Sequence, residues 1–246
     1  MSAPLRFEFV TSGDDVFRLP ETRAEVAFLG RSNVGKSSLL NALANHKRLA
    51  HTSKTPGRTQ LLNLFALGNG TTAVDLPGYG FAAVPGRTRS GWQQMIEGYL
   101  LEREALAMVL VLVDGEIGPT KLDVSMLAWL QAHDLPHTVV ASKYDKVKPS
   151  KRGVRRQEVA AGCNVALDDV VWGSAAKGDG IEKLRGLILG WLASGARRPG
   201  ARATVDASPR RGGGPGTVAR GGDEHREGQV DGHREGDNPD DEHEWN

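Results

Sequence analysis

Gly30-Arg31-Ser32-Asn33-Val34-Gly35-Lys36-Ser37 reads G-x-x-x-x-G-K-S and lies between an apolar run, Val26-Ala27-Phe28-Leu29, and a helix-forming run, Ser38-Leu39-Leu40-Asn41-Ala42-Leu43. A strand, a glycine-bearing loop and a helix in that order let successive backbone N–H groups turn inward around an anion, with the positive end of the helix behind them. In such a site Lys36 reaches the β- and γ-phosphates as the catalytic cation, and the Ser37 hydroxyl ligates Mg2+. Taken alone, the stretch also fits an ordinary glycine-rich strand-to-helix turn, so the remaining motifs must decide.

The rest of the chain alternates between strand and helix patterns. Residues 5–10 alternate in polarity as a half-exposed strand does, and 25–29 form a buried strand leading into the loop. A helix follows over about 36–46, then a polar, non-periodic loop over 47–60. Two apolar runs, 61–67 and 71–76, flank Gly68-Asn69-Gly70, a hairpin signal. After a loop from Tyr79 to Gly91, the residues Trp92, Met95, Ile96, Tyr99 and Leu100 recur at helical spacing as a core-facing stripe. The run Met108–Val113 is wholly apolar, as in the middle of a parallel sheet. A helix over 120–133, a strand over 137–141, a basic helix over 148–162, a short strand at 170–172 and an amphipathic helix over 181–193 complete the pattern. The expected fold is α/β, a doubly wound and mostly parallel sheet of the P-loop nucleotide-hydrolase type with both faces covered.

Composition separates this body from its C-terminal end. Residues 196–246 hold eight arginines, no lysine and eleven acids, hence −3, with ten glycines and no Leu, Ile, Phe or Met; His-Arg-Glu-Gly recurs at 225–228 and 233–236. A segment with so little apolar surface cannot offset the entropy of ordering, so a disordered tail is expected. The three histidines in the tail fit a solvated low-complexity segment better than a metal site. The remainder carries 23 basic and 19 acidic residues, hence +4. The expected organisation is an N-terminal strand and lead-in over 1–22, a nucleotide-binding domain over 23–195 and the tail over 196–246. The single cysteine, Cys163, excludes an internal disulfide. No apolar run reaches the roughly 20 residues of a membrane span, and no secretory signal pattern opens the chain, so a soluble cytoplasmic protein is expected.

Three further stretches stand where a nucleotide site on this fold wants them. Asp75-Leu76-Pro77-Gly78 ends a strand; there Asp75 can hold Mg2+ through water and the Gly78 N–H is available to a γ-phosphate. Ser142-Lys143-Tyr144-Asp145 follows the strand near residue 140, where a carboxylate accepts paired hydrogen bonds from guanine N1–H and its 2-amino group while the Lys143 stem lies along the base. Adenine offers neither donor, and sites of this kind reject such an analogue by roughly 10⁴-fold. Gly173-Ser174-Ala175, after the last strand, can supply a backbone N–H to the guanine oxygen. Each of these is weak alone: Asp before Pro-Gly is a good turn, and Lys-x-Asp at a loop is an ordinary surface pairing.

The order phosphate loop, threonine-bearing loop, D-x-P-G, S-K-x-D and S-A resembles the guanine-nucleotide-binding GTPases. Gly30–Leu39, Thr55-Pro56-Gly57-Arg58-Thr59-Gln60, Asp75–Ala82 and Val113-Asp114-Gly115-Glu116-Ile117-Gly118-Pro119-Thr120 together resemble the bacterial EngB/YsxC family of ribosome-biogenesis GTPases, over about residues 5–193. The resemblance implies GTP and GDP as ligands, and it implies that Thr59 joins Ser37 on Mg2+ when GTP is bound. It places a first switch loop at Gly57, Arg58, Thr59, Gln60 and Leu61 and opens a second at Asp75–Gly78. It further implies assembly of the large ribosomal subunit, with rRNA and ribosomal proteins as partners, a monomer, and a requirement for normal division and septation. Asn33 resembles the residue that binds K+ in some related GTPases.

Two positions depart from the common pattern. The base-reading motif begins with Ser142 where Asn or Thr is usual, which predicts looser base affinity with Asp145 still setting specificity. Tyr79 stands where many GTPases keep a water-positioning Gln, which predicts hydrolysis of the order of 10⁻³ s⁻¹ or below without a partner. Two other readings remain at this level: an ATP-using P-loop enzyme, and a nucleotide-independent RNA-binding module acting through Lys148–Arg156 and the arginine-rich tail.

Overall fold

The computed structural model describes residues 4–46, 49–50, 61–80 and 86–195, the side chains of 86–90 and 92 excepted. It contains one seven-stranded sheet with strand order β1-β3-β4-β2-β5-β6-β7. The strands are β1 (Glu8–Gly13), β2 (Ala24–Gly30), β3 (Leu62–Gly68), β4 (Thr71–Asp75), β5 (Leu106–Asp114), β6 (His137–Ser142) and β7 (Val170–Trp172). The helices are α1 (Lys36–Ala44), α2 (Gly86–Glu102), α3 (Lys121–Ala132), α4 (Arg152–Gly162) and α5 (Ile181–Ser194). β4, β2, β5, β6 and β7 run parallel, while β1, β3 and β4 form an antiparallel extension. The doubly wound, mostly parallel α/β sheet expected of the sequence is therefore present. The tail expected over 196–246 lies outside the described residues.

Alternation along the central strands makes two cores. Val26 and Phe28 of β2, with Leu110 and Leu112 of β5, face Leu39, Leu40 and Leu43 of α1 and Leu184, Ile188 and Leu192 of α5. Ala27 and Leu29, with Val109, Val111 and Val113, face Ile96, Tyr99 and Leu100 of α2 and Met126, Leu127 and Leu130 of α3. Successive strand residues point to opposite faces, so an unbroken apolar run such as β5 is stable only between two helical layers. The expected stripe at Ile96, Tyr99 and Leu100 is core, as its spacing required.

Three boundaries differ from the sequence reading. The first strand is Glu8–Gly13 rather than 5–10. Leu5 and Phe7 are buried among the α1/α5-side residues, and the Leu5 N–H donates to the Leu43 carbonyl (3.1 Å), so they pack below the sheet rather than in it. α2 begins at Gly86, within a stretch read as loop from its glycines; tertiary packing outweighs the roughly 1 kcal/mol helix cost of an interior glycine. The basic segment from Lys148 opens as a 3₁₀ turn at Pro149–Lys151, and the α-helix proper starts at Arg152.

The sheet is closed at the end opposite the phosphate loop by a buried polar cluster. Glu25 is fully buried. It accepts from Arg103 Nε (2.8 Å) and Nη2 (3.2 Å), from the Tyr99 hydroxyl (2.6 Å) and from the Thr72 hydroxyl (2.5 Å). Arg103 Nη2 also donates to the Pro20 carbonyl (2.7 Å), so the cluster ties β2, β4, α2 and the lead-in to β2 together.

Candidate functional site

Registry brings the carboxyl ends of the parallel strands to one edge. Phe28 pairs with Asp75, Gly30 with Leu112, Asp114 with Ser142 and Ala141 with Trp172. Ligands on open α/β sheets bind outside that edge, where the strand order reverses. Here the reversal lies between β4, β2 and β5, directly below the Gly30–Ser37 loop.

Gly35 precedes α1 with φ 109° and ψ 16°, a conformation that L side chains rarely adopt, and Asn33 also has positive φ (64°). These two positions fold the loop back over the first turn of α1, where the Leu39 N–H already donates to the Gly35 carbonyl (2.9 Å). Residues 30–37 thus form a tight strand-to-helix loop of the shape expected of a phosphate cradle. Lys36 is held low in it, 9% exposed, with Nζ 3.8 Å from Asp75 Oδ1.

Asp75 ends β4 almost fully buried, and among the described residues its Oδ1 has no hydrogen-bond partner. Burial pushes its carboxyl above the ordinary carboxylate value, and the nearby Lys36 ammonium opposes that rise only in part. A buried oxygen lacking a donor, beside a lysine and one loop from Ser37, suits a hydrated divalent cation. The residues present therefore fit Mg2+, with Ser37 as direct ligand and Asp75 acting through water.

The chain beyond Asp75 continues along the loop. Leu76 N–H donates to the Phe28 carbonyl (3.0 Å), Pro77 is buried, and Tyr79 bridges to Arg31 in parallel fashion. Gly78 packs directly on the loop: a Cβ there would stand 2.9 Å from Ser32 N and 3.0 Å from Ser32 Oγ. Any side chain at 78 would push the D-x-P-G stretch off the phosphate loop. Tyr79 turns away from the loop, and its hydroxyl donates to Asp123 Oδ1 (2.9 Å) of α3. Burial and the Asp123 carboxylate push its phenol well above the ordinary tyrosine range, so it stays a donor.

The Ser142–Asp145 stretch meets the stretch after β7. Asp145 Oδ1 accepts from the Ser174 hydroxyl (2.6 Å), and Tyr144 N–H donates to the Gly173 carbonyl (3.1 Å). The S-A stretch after β7 therefore meets the S-K-x-D stretch after β6. Ser174 N–H is occupied by the Asp179 carbonyl (2.9 Å), so a donor to a base oxygen must come from Ala175 or Ala176. Lys143 adopts φ 55°, and its Nζ donates to Asp114 Oδ2 (2.6 Å) at the end of β5. The Tyr144 ring lies between Trp172 (centroids 5.2 Å apart) and the Arg152 guanidinium (4.3 Å).

Ser142 does more than the sequence reading assigned it. Its hydroxyl lies 2.7 Å from the Val34 carbonyl and 3.1 Å from the Val113 carbonyl, donating to one at a time. The small side chain thus ties the base-reading motif to the phosphate loop. Asp114 and Asp123 were not singled out as site residues. Asp114 lies in the Val113–Thr120 stretch, and Thr120-x-x-Asp123 carries a helix-capping signature that points to the second. Among the expected site residues, Leu61 is exposed at the edge of β3, and Gly57, Arg58, Thr59 and Gln60 lie outside the described residues.

With this geometry the comparisons agree. A family model described as 50S ribosome-binding GTPase matches residues 25–143. A probable GTP-binding protein EngB of Geobacter sulfurreducens is 43% identical over 189 residues, covering 76% of this chain and 92% of that protein. One from Pelotomaculum thermopropionicum is 44% identical over 192 residues, covering 77% and 97%. A crystal structure of a probable GTP-binding protein EngB superposes with a TM-score of 0.58 at 26% identity, over 70% of this chain and all of that one. Era in complex with MgGDPNP and nucleotides 1506–1542 of 16S ribosomal RNA gives 0.54 at 26% identity, over 68% of this chain and 56% of that one. A P-loop GTPase fold of this kind, with guanine nucleotide as ligand, defines the class of protein. The chain belongs to the EngB family of GTP-binding proteins.

Proposed function

We propose that this GTPase is a Mg2+-dependent switch in assembly of the large ribosomal subunit, with slow intrinsic hydrolysis, and that normal cell division and septation depend on it. The observation that carries the switch is the buried Asp75 Oδ1, without a hydrogen-bond partner among the described residues and 3.8 Å from Lys36 Nζ. When bound, Mg2+ would neutralise charge on the nucleotide phosphates. Ser37 and Thr59 are the direct protein ligands in this reading, Lys36 and N–H groups of the Gly30–Ser37 loop other than those of Ser32 and Val34, which donate to the Tyr79 and Arg31 carbonyls, hold the phosphates, and Gly78 senses the γ-phosphate. Asp145, with Ala175 or Ala176, reads the base.

Slow hydrolysis is supported by Tyr79, whose hydroxyl is engaged by Asp123 rather than turned toward the phosphate loop. The ribosomal partner is supported by the description of the matching family model and by the EngB relatives. It is also supported by six basic residues between Lys146 and Arg156 with no acid among them, of which Lys146, Lys148 and Lys151 are exposed. A surface of that kind suits rRNA phosphates. No helix among the described residues is long and apolar enough to cross a membrane. In this reading the protein is a cytoplasmic monomer with its GTP-binding domain over 23–195. Asn33 is the candidate K+ ligand, and faster hydrolysis in KCl than in NaCl is its signature.

Co-sedimentation with ribosomal subunits under GDP and under a non-hydrolysable GTP analogue tests the switch. The expected result is association with the large subunit or its precursors that depends on the γ-phosphate; association indifferent to nucleotide, or none, overturns it. Single-turnover hydrolysis well above 10⁻³ s⁻¹, the rough unassisted rate, by the isolated protein overturns the slow-enzyme part alone.

A further inference from the structure

Tyr79 directly follows Gly78, and three parts of it are engaged at once. Its carbonyl accepts from Ser32 N–H of the phosphate loop (3.1 Å). Its ring packs against the core shared by α2, α3 and β5. Its hydroxyl donates to Asp123 Oδ1 (2.9 Å). Asp123, 1% exposed, spends its other oxygen on the start of α3: Oδ2 accepts from Thr120 N–H (2.7 Å) and from the Thr120 hydroxyl (2.8 Å). One carboxylate therefore holds the first turn of α3 and the residue after Gly78 together.

Packing alone does not call for this arrangement. A phenylalanine ring would fill the same space without bringing a hydroxyl into the core, and the carboxylate would still cap α3 through Thr120. What the hydroxyl adds is a directional, charge-assisted bond that fixes the azimuth of Tyr79, and through it the position of Gly78 against Ser32. Gly78 packs closely there, because a Cβ at that position would stand 2.9 Å from Ser32 N.

We infer that Tyr79 and Asp123 are positioning residues which hold Gly78 in place for the γ-phosphate and couple its engagement to the first turn of α3. GDP makes no demand on Gly78, whereas GTP does. The latch therefore lowers the ordering cost of GTP binding selectively, and γ-phosphate contact in turn tightens the start of α3. The inference rests on the GTP-switch reading above and names two residues that regulate that site from outside it.

The test is Tyr79→Phe in the full chain, with binding of GDP and of a non-hydrolysable GTP analogue in Mg2+ followed by calorimetry. The expected result is a fall in analogue affinity of roughly 5-fold or more, with GDP affinity changed by less than about 2-fold, within the scatter of an uncoupled surface change. Asp123→Asn, which keeps an oxygen for the Thr120 cap, shifts the ratio in the same direction. Hydrogen exchange at the amides of Thr120 and Val124 supplies a readout that simple packing would not move: slower under the analogue than under GDP in the parent, equal under both in Tyr79→Phe. A parallel loss for both nucleotides, or an unchanged ratio, overturns the latch and leaves the switch standing. If the parent binds neither nucleotide, the switch reading fails and takes the latch with it.

Discussion

Ser142 Oγ and the carbonyl oxygen of Val34 stand 2.7 Å apart across 108 residues of chain. The Ser142 hydroxyl thus ties the end of β6 to the Gly30–Ser37 loop, and in the proposed reading it links base recognition to the grip on the phosphates.

Replacing Ser142 by Ala removes the donor and leaves a buried carbonyl unpaired, which costs about 1–3 kcal/mol. The loop contacts the phosphates common to both nucleotides, so GDP and GTP affinity should fall together, by roughly 5- to 100-fold on that energy. Nucleotide titration of the purified variant checks this. A loss confined to GTP would contradict the clamp and would instead resemble the behaviour expected of Tyr79→Phe.

Asp145→Asn should exchange the base that is bound. Asparagine keeps an oxygen for N1–H and for the Ser174 hydroxyl, which lies 2.6 Å from Asp145 Oδ1, but its amide opposes the guanine 2-amino group donor to donor. Xanthine carries a carbonyl at that position and pairs with the amide. Binding assays should show GDP affinity reduced roughly 100-fold or more and xanthosine diphosphate affinity gained.

Asp75 should make the nucleotide-free protein pH-dependent. Its folded carboxyl titrates above the ordinary value of 3.8, chiefly through burial. Between the two values the native state binds the extra proton, so stability declines as pH rises through that window. Thermal unfolding should show this decline in the parent and its absence in Asp75→Asn. Mg2+ with nucleotide favours the ionised carboxylate, so their binding should strengthen over the same window and should be lost in the variant.

Arg103→Met should be among the most damaging changes in the domain. It strands the fully buried Glu25 without its cation, a loss of about 3–5 kcal/mol for a broken buried pair. Adding Glu25→Gln should recover much of this in chemical denaturation, because no charge then remains inside.

Much of the site could be read from the chain because its motifs are local and sit at strand ends. The Gly30–Ser37 loop, Asp75 and the meeting of Asp145 with Ser174 all follow from short spacings combined with strand order. What escaped reading is what depends on partners distant in sequence. Nothing near Tyr79 announces Asp123, nothing near Lys143 announces Asp114, and Glu25 looks like a polar interruption of a buried strand until Arg103 arrives from the residue after α2. Element ends were lost for a related reason. Glycines at 86 and 91 signal a loop locally, yet α2 runs through them, and Leu5 and Phe7 carry strand-like alternation although they lie ahead of β1.

Arg185 of α5 donates from Nε to the Leu43 carbonyl (2.9 Å) and from Nη2 to the Ala42 carbonyl (2.9 Å), finishing the helix that begins at Lys36 from 142 residues away. Synthesis runs from the N-terminus, so the loop and its helix leave the exit tunnel long before the arginine that seals them and before Ser174 reaches Asp145. A half-made chain cannot close its nucleotide site. The contacts that join the phosphate loop, its helix and the stretch after β7 therefore form only once α5 has been made.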